Sequence, residues 1–321
     1  MSNIARLLVM LALVANSAVL AQGYPDRPIK VVVPWPPGQT TDVVARLLSE
    51  KLVPVLGQPL VIENRPGAGG VIGSDAVSKA LPDGYTLLAG SSGPISISPN
   101  VQKVGYDPMR DFAPISLFAN TTYVLVTHPS FPASNIKEFI ALFRESPGKY
   151  SYSSSGSGTT SHLITELLLS MAKITAIHVP YKGSAPALTD VVGGQVTFTF
   201  ETSAAVLSHV KSGRLKALGV ASPNRAITLP DVPTIAEASD LGRFDMRGWI
   251  GLLAPAGTPL DLRIRLATES RKILQMPEIK ERFIALGLEP AGLMPDEVTE
   301  FLKEQNDRYA AIAKRANLKP D

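Results

Sequence analysis

The chain has no cysteine. That excludes a disulfide framework, thiolate metal sites and the lipidated cysteine that tethers some exported proteins to a membrane. Its four histidines, His128, His162, His178 and His209, stand without metal-ligand spacing, so no metal site is expected. Also missing are a G-x-G-x-x-G fingerprint and a Walker lysine, which argues against a nucleotide cofactor. There is no G-x-S-x-G and no supported acid pair, so an exported hydrolase has no visible nucleophile or base, and the expectation is no enzyme and no cofactor. Basic residues are not clustered: 31 Lys and Arg face 28 Asp and Glu, for a net charge of +3 spread along the chain. Nucleic acid, which needs a concentrated basic face, is therefore not an expected partner.

What is present begins with residues 1–21. Arg6 precedes the apolar run LLVMLALVA, and Val19-Leu20-Ala21 is a small-residue site. This pattern predicts a secretory signal cleaved after Ala21, and the apolar run is too short for a membrane span. The remaining length suggests two domains.

The organising stretch is Ile29 to Arg46, IKVVVPWPPGQTTDVVAR. The β-branched run Ile29 to Val33 reads as a buried strand of a parallel sheet. Pro34, Pro36, Pro37 and Gly38 form a stiff loop, and Thr41 or Asp42 is the expected N-cap of a helix carrying Val43, Val44, Leu47 and Leu48. Strand, rigid loop and helix N-terminus in that order place free N–H groups at the carboxyl end of a strand, where open α/β sheets bind ligands. The unit recurs. Leu60 to Ile62 is followed by the PGAGG loop at Pro66 to Gly70, and Tyr85 to Ala89 by a small-residue loop containing Ser91 and Ser92. Strands alternating with helices predict doubly wound sheets.

After Pro129 the composition restarts. A helix over Asn135 to Glu145, capped by Ser134, leads to a strand at Tyr150 to Ser153. The SSSGSGTTSH loop then supplies Ser155, Gly156, Ser157, Gly158 and Thr159 as anion-receptive groups ahead of a helix from His162. His162 itself is a cleft candidate, although a histidine in the first turn of a helix is more often a packing residue. Tyr181, Lys182 and Gly183 follow the strand Ala176 to Pro180, and Glu201, Thr202 and Ser203 end the strand Val196 to Phe200 at the next helix N-terminus. The amphipathic stretches Asp261 to Leu274 and Pro295 to Arg315 are expected to cover a sheet.

The first loop, with Pro34, Trp35, Gly38, Asp42, Ala45 and Arg46, resembles that of the tripartite tricarboxylate transporter receptors, the Bug-type extracytoplasmic solute-binding proteins. The runs NRPGAGG, DGYTL, HVPYKG, Trp249-Ile-Gly251 and Pro255 to Pro259 are signatures of the same family, in order along the chain from about Pro25 onward. The resemblance implies a type II periplasmic-binding-protein fold. Lobe 1 would comprise 22–122 and 249–321 and lobe 2 would comprise 123–248, joined by a two-segment hinge near Ala119 to Val126 and Met246 to Leu253. It further implies a monomeric periplasmic receptor, without a lipid anchor, that delivers a small carboxylate to a two-subunit membrane permease. The ligand would be a dicarboxylate or tricarboxylate, an aromatic acid or an amino-acid-like molecule, with a sensing partner as the alternative. The site residues implied are Trp35, Pro37, Gly38, Gln39, Thr40, Thr41, Asp42, the serines and glycines named above, and Tyr181 to Gly183 with Glu201 to Ser203. Two departures stand out: Gln39 replaces the family's second Gly, and Glu201 stands where Asp is usual. A bulky amide at Gln39 is expected to narrow the pocket or make it more amide-selective.

Overall fold

The computed structural model describes residues 23–318. The expected signal segment lies outside the described residues. The first sheet is ordered β11-β4-β10-β3-β1-β2, built from β1 Ile29–Val33, β2 Leu60–Asn64, β3 Thr86–Ser91, β4 Phe112–Thr121, β10 Gly248–Pro255 and β11 Leu288–Leu293. Strand β1 pairs parallel with β2 and β3. Strand β10 is antiparallel to both β3 and β4, so the sheet is mixed rather than purely parallel.

Alternation along β1 explains the layering. Val31 and Val33 face one core with Val44, Leu48 and Leu52 of α1 (Thr40–Leu56) and Leu266 of α9 (Leu260–Gln275). Val32 faces the other, with Val77 of α2 (Val71–Ser78) and Leu302 of α11 (Pro295–Arg315). Successive side chains of a strand point to opposite faces, so a β-branched run with helices on both sides is buried on both.

The second sheet is ordered β7-β6-β8-β5-β9, from β5 Tyr123–Thr127, β6 Ser151–Ser154, β7 Ile177–Pro180, β8 Phe198–Thr202 and β9 Lys216–Val220. Its faces are covered by α4 Ile136–Glu145 and α5 Thr160–Ala172 on one side, and by α6 Ser184–Val192 and α7 Ser203–Lys211 on the other. The chain passes from the first sheet to the second through Thr122 alone, between β4 and β5. It returns at Arg247, between Met246, whose N–H bonds Ala221 in the second lobe, and β10.

Several local expectations are corrected. Helix α1 starts at Thr40 with Gln39 as its N-cap, and no side chain caps it, so neither Thr41 nor Asp42 is the cap. Helix α4 is capped by Asn135, whose side chain accepts the Glu138 N–H, rather than by Ser134. Helix α11 does more than cover one sheet. Its Val298 and Leu302 lie in the first lobe's core, whereas Tyr309 and Ala313 lie in the second's. A helical run also begins at Ser92, passing through a π-turn at Gly93–Ile97 into the short α3, Ser98–Val101, where a loop was expected.

Candidate functional site

The proline loop is fixed by a polar brace behind it. Asp42, buried in the first turn of α1, accepts the Gly38 N–H at 2.8 Å, the Asn64 amide at 2.8 Å and the Arg46 guanidinium at 3.0 Å. Burial raises the Asp42 pKa, but the hydrogen bonds from Arg46, Gly38 and Asn64 outweigh it and hold the carboxyl below its ordinary value. Asn64 also donates to the Trp35 carbonyl, and the Trp35 indole N–H donates to Ser91 Oγ at 2.9 Å. Loop, α1 and the end of β3 are thereby locked together. Asp42→Ala leaves several buried or half-buried donors without an acceptor and is expected to cost about 2–4 kcal/mol in urea unfolding at pH 7, against little change for an exposed ion-pair variant such as Lys272→Ala.

The two lobes meet face to face. Thr40 Oγ1 lies 3.0 Å from Thr202 Oγ1, and Ser92 Oγ lies 2.8 Å from Thr160 Oγ1. Ser98 Oγ donates to the Gly158 carbonyl at 3.1 Å, and Ser203 Oγ to the Gly287 carbonyl at 2.9 Å. Between these contacts lies a polar chamber lined by Trp35, Gln39, Thr40, Thr41, Ser91, Ser92, Gly93, Thr121, Tyr123, Ser155, Thr159, Thr160, Ser184, Glu201, Thr202, Trp249 and Ile250. The volume open to the centre of a water molecule is about 30 Å³. That is room for roughly two waters, so the lobes are shut tightly.

Helix N-termini converge on this chamber. Its lining includes the N-cap and first residue of α1 (Gln39 and Thr40) and of α5 (Thr159 and Thr160), the first residue of α6 (Ser184) and the N-cap of α7 (Thr202). The first turns of α5, α6 and α7 hold no acidic side chain, so their positive dipole ends are uncompensated from within. No lysine or arginine lines the chamber. Glu201 is its one carboxyl, 2% exposed. Glu201 Oε2 accepts the Thr202 N–H at 3.1 Å, and the Ser184 hydroxyl stands beside the carboxyl as a second hydrogen-bond partner. Burial raises the Glu201 pKa, only partly offset by Ser184 and Thr202, to about 7.

The structure brings together many of the sequence candidates and sorts the rest. Trp35, Gln39, Thr40, Thr41, Ser91, Ser92, Ser155, Thr159, Glu201 and Thr202 line the chamber. Pro37, Gly38, Lys182 and Gly183 line an outer cleft of about 470 Å³, and Gly156, Ser157 and Tyr181 line a second of about 630 Å³. The two clefts are separated where Gly183 abuts Pro36 and Gln39, so tightly that a Cβ on Gly183 would lie 3.1 Å from each. Asp42, Gly158, His162 and Ser203 do not line the chamber. Asp42 braces the loop, Gly158 packs against Ser98 and Gln102, and Ser203 donates to the Gly287 carbonyl outside the chamber. His162 stacks on His178 with ring centres 4.3 Å apart, and Nδ1 of His162 accepts the Gly158 N–H.

Gly93, Thr121, Tyr123, Thr160, Ser184, Trp249 and Ile250 line the chamber but were not among the sequence candidates. Thr160 and Ser184 follow directly on candidate loops, and the first turn of each helix was the signal to extend them. Thr121, Tyr123, Trp249 and Ile250 belong to the crossing strands, and nothing local marks them as lining residues.

Fold and chamber together define a two-lobed solute receptor of the periplasmic-binding-protein type, with hydroxyls and helix N-termini directed at an enclosed cleft. Residues 44–318 match the model of the tripartite tricarboxylate transporter family receptors, and the chain belongs to that family. Among similar proteins is BugT of Bordetella pertussis, 36% identical over 324 residues and covering 99% of each chain. Among solved structures, R. palustris Rpa4515 with adipate superposes with a TM-score of 0.89 at 33% identity, over 93% of this chain and all of that one. MatC (Rpa3494) from Rhodopseudomonas palustris with bound malate gives 0.85 at 31% identity, over 90% of this chain and 99% of that one. The periplasmic binding protein BugD is a further structural neighbour, with a TM-score of 0.87 at 36% identity over 93% of this chain and all of that one.

Proposed function

We propose that this chain is a periplasmic receptor that captures a small carboxylate between its lobes and delivers it to a two-subunit membrane permease. The observation that carries the reading is the chamber itself, where helix N-termini and hydroxyls from both lobes converge with no lysine or arginine. Partly buried helix N-termini stabilise an anion by up to about 2 kcal/mol each, and hydroxyls supply the short hydrogen bonds that orient it. Adipate in Rpa4515 and malate in MatC indicate the class of ligand that related chambers accept. The cross-lobe pairs Thr40 with Thr202 and Ser92 with Thr160 belong to the shut form, so a ligand that also bridges the lobes shifts the population toward it. The shut form is then the surface a permease distinguishes.

Thermal unfolding against a panel of dicarboxylates, tricarboxylates, aromatic acids, amino acids and amides tests the reading. A ligand at a hundred times its dissociation constant adds about 2.7 kcal/mol and raises the midpoint. No response to any carboxylate, with no co-purified acid found by mass spectrometry, would refute it.

A further inference from the structure

The two outer clefts flank the seam where Gly183 abuts Pro36 and Gln39. The cleft of about 470 Å³ is lined by Pro37 and Val43 of the first lobe and by Pro186 and Leu188 of the second. The cleft of about 630 Å³ is lined by Pro66 and Ile72 of the first lobe and by Pro180 and Tyr181 of the second. Each takes its walls from both lobes, so both clefts belong to the shut form and are lost when the lobes part. Their linings are mostly apolar, yet Pro37, Pro66, Ile72 and Pro186 are exposed, Ile72 to 55%. Contiguous apolar surface left in water marks a contact surface. Its first-lobe lip is stiff, because the proline loop is braced by Asp42 and Asn64. Lys182, next to the seam, lines both clefts, and no aspartate or glutamate lines either. His209 lines the smaller cleft, where burial, then the Arg214 charge, lowers its pKa, so Lys182 carries the charge there.

We propose that the two clefts and Lys182 together form the docking surface for an extracytoplasmic loop of the membrane permease, a loop that carries a carboxylate between apolar side chains. The apolar side chains fill the clefts on either side of the seam, and the carboxylate pairs with Lys182 between them. This rests on the permease reading above and adds the place and the chemistry of the contact. A solute sized to the chamber, which has room for about two waters, does not extend around Gly183 into both clefts, whereas a loop crossing the seam fills both at once. Lys182, a ligand candidate by sequence, is thereby assigned to the partner. Because the surface is complete only when the lobes meet, loop docking and closure favour one another, and an open receptor is passed over.

The test locks the lobes shut. The chain has no cysteine, and Thr40 and Thr202 meet across the lobes at 3.0 Å, so Thr40→Cys with Thr202→Cys gives one disulfide that oxidation closes and reduction releases. If that pair does not oxidise, Ser92→Cys with Thr160→Cys, at 2.8 Å, replaces it. A randomised peptide library displayed on phage is selected on the oxidised protein with no acid present, and the enriched peptides are then synthesised. They are expected to carry Asp or Glu flanked by apolar residues, and to bind the oxidised form about tenfold or more tighter than the reduced form. Adding Lys182→Glu to the locked protein should weaken them about tenfold, and exchanging the peptide's acid for lysine should restore most of that loss. Enriched peptides without an acid, binding unchanged by Lys182→Glu, or equal binding to the reduced protein would each overturn the docking surface. None of these touches carboxylate capture, which the thermal panel decides separately. Displacement of the peptides from the locked protein by adipate would give the clefts to the solute instead, overturning both the docking surface and the chamber as the solute's site.

Discussion

Acidification from pH 7 to pH 5 is expected to cost this protein up to about 4 kcal/mol through His162 and His178, and replacing both by glutamine should abolish that part of the loss. The rings stack at 4.3 Å, with an interplanar angle of 8°, and Tyr152 continues the stack 4.7 Å from His178. Burial, then the neighbouring His178, drives the His162 pKa down to about 3. Burial alone lowers His178 to about 4. Both are bases depressed below an unfolded value near 6.5, so their contribution is complete above that pH and is lost as pH falls toward 4 and below. The unfolded chain takes up protons that the stack refuses, at roughly 2 kcal/mol per ring by pH 5.

Glu201 acts in the opposite sense. An acid raised to about 7 favours the folded state as pH falls from 7 toward 4.5, so wild type alone shows only the difference of the two trends. Urea unfolding of wild type and of the His162→Gln, His178→Gln double variant at pH 7 and pH 5 separates them. Glutamine can keep hydrogen bonds to the Gly158 N–H and Ser154 Oγ without titrating. Equal pH 7 to pH 5 losses in both proteins would show that the stack is not what acid attacks.

Gly69→Ala is expected to weaken ligand binding about ten- to a hundredfold while changing the unliganded protein's stability by only about 1 kcal/mol. Gly69 has φ of +63°, and a Cβ there would lie 2.7 Å from the Ser157 carbonyl oxygen across the cleft. The left-handed backbone strain is present in every state of the loop. The clash arises only when the lobes shut, because Gly69 and Ser157 belong to loops that follow strands of different sheets, β2 and β6. Binding that depends on closure must therefore overcome an overpacking cost of about 1–3 kcal/mol. Titration with the best ligand, together with small-angle scattering for ligand-induced compaction, reads both effects. Unchanged affinity with normal compaction would mean that these loops do not meet in the liganded form.

The strand, loop and helix units were legible because each is written locally. Val31, Val32 and Val33 are β-branched and close with proline, and the small-residue runs at Ser91 and at Ser153 to Thr160 lie at strand ends, the second running into the apolar helix α5. Cap positions were less legible. Asp42 and Ser134 are good caps by type, yet Gln39 and Asn135 hold those positions, because the capping side chain is chosen by where the helix geometry starts. The helical run from Ser92 was hidden by its own composition, since serine, glycine and proline read as a loop until Ile95 and Ile97 are seen buried in the cores of the two lobes.

By itself the sequence determined which residue types stand at strand ends: hydroxyls, glycines and a rigid proline loop, with arginine and lysine scarce, a composition suited to holding an anion by dipoles and hydrogen bonds. It also carried the order of motifs that marks the family. Only the tertiary structure decided which of those groups share one chamber. Antiparallel pairing of β10 with β4 sets Trp249 and Ile250 beside Thr121 at the crossing, and closure brings Gln39 and Glu201 into the same enclosed space. It also turned Asp42, His162 and Ser203 to other tasks. The reason is physical: a group's chemistry is fixed by its residue type, but its solvent, charge and hydrogen-bond partners come from segments far away in the chain, and those set what Glu201 and the histidine stack can do.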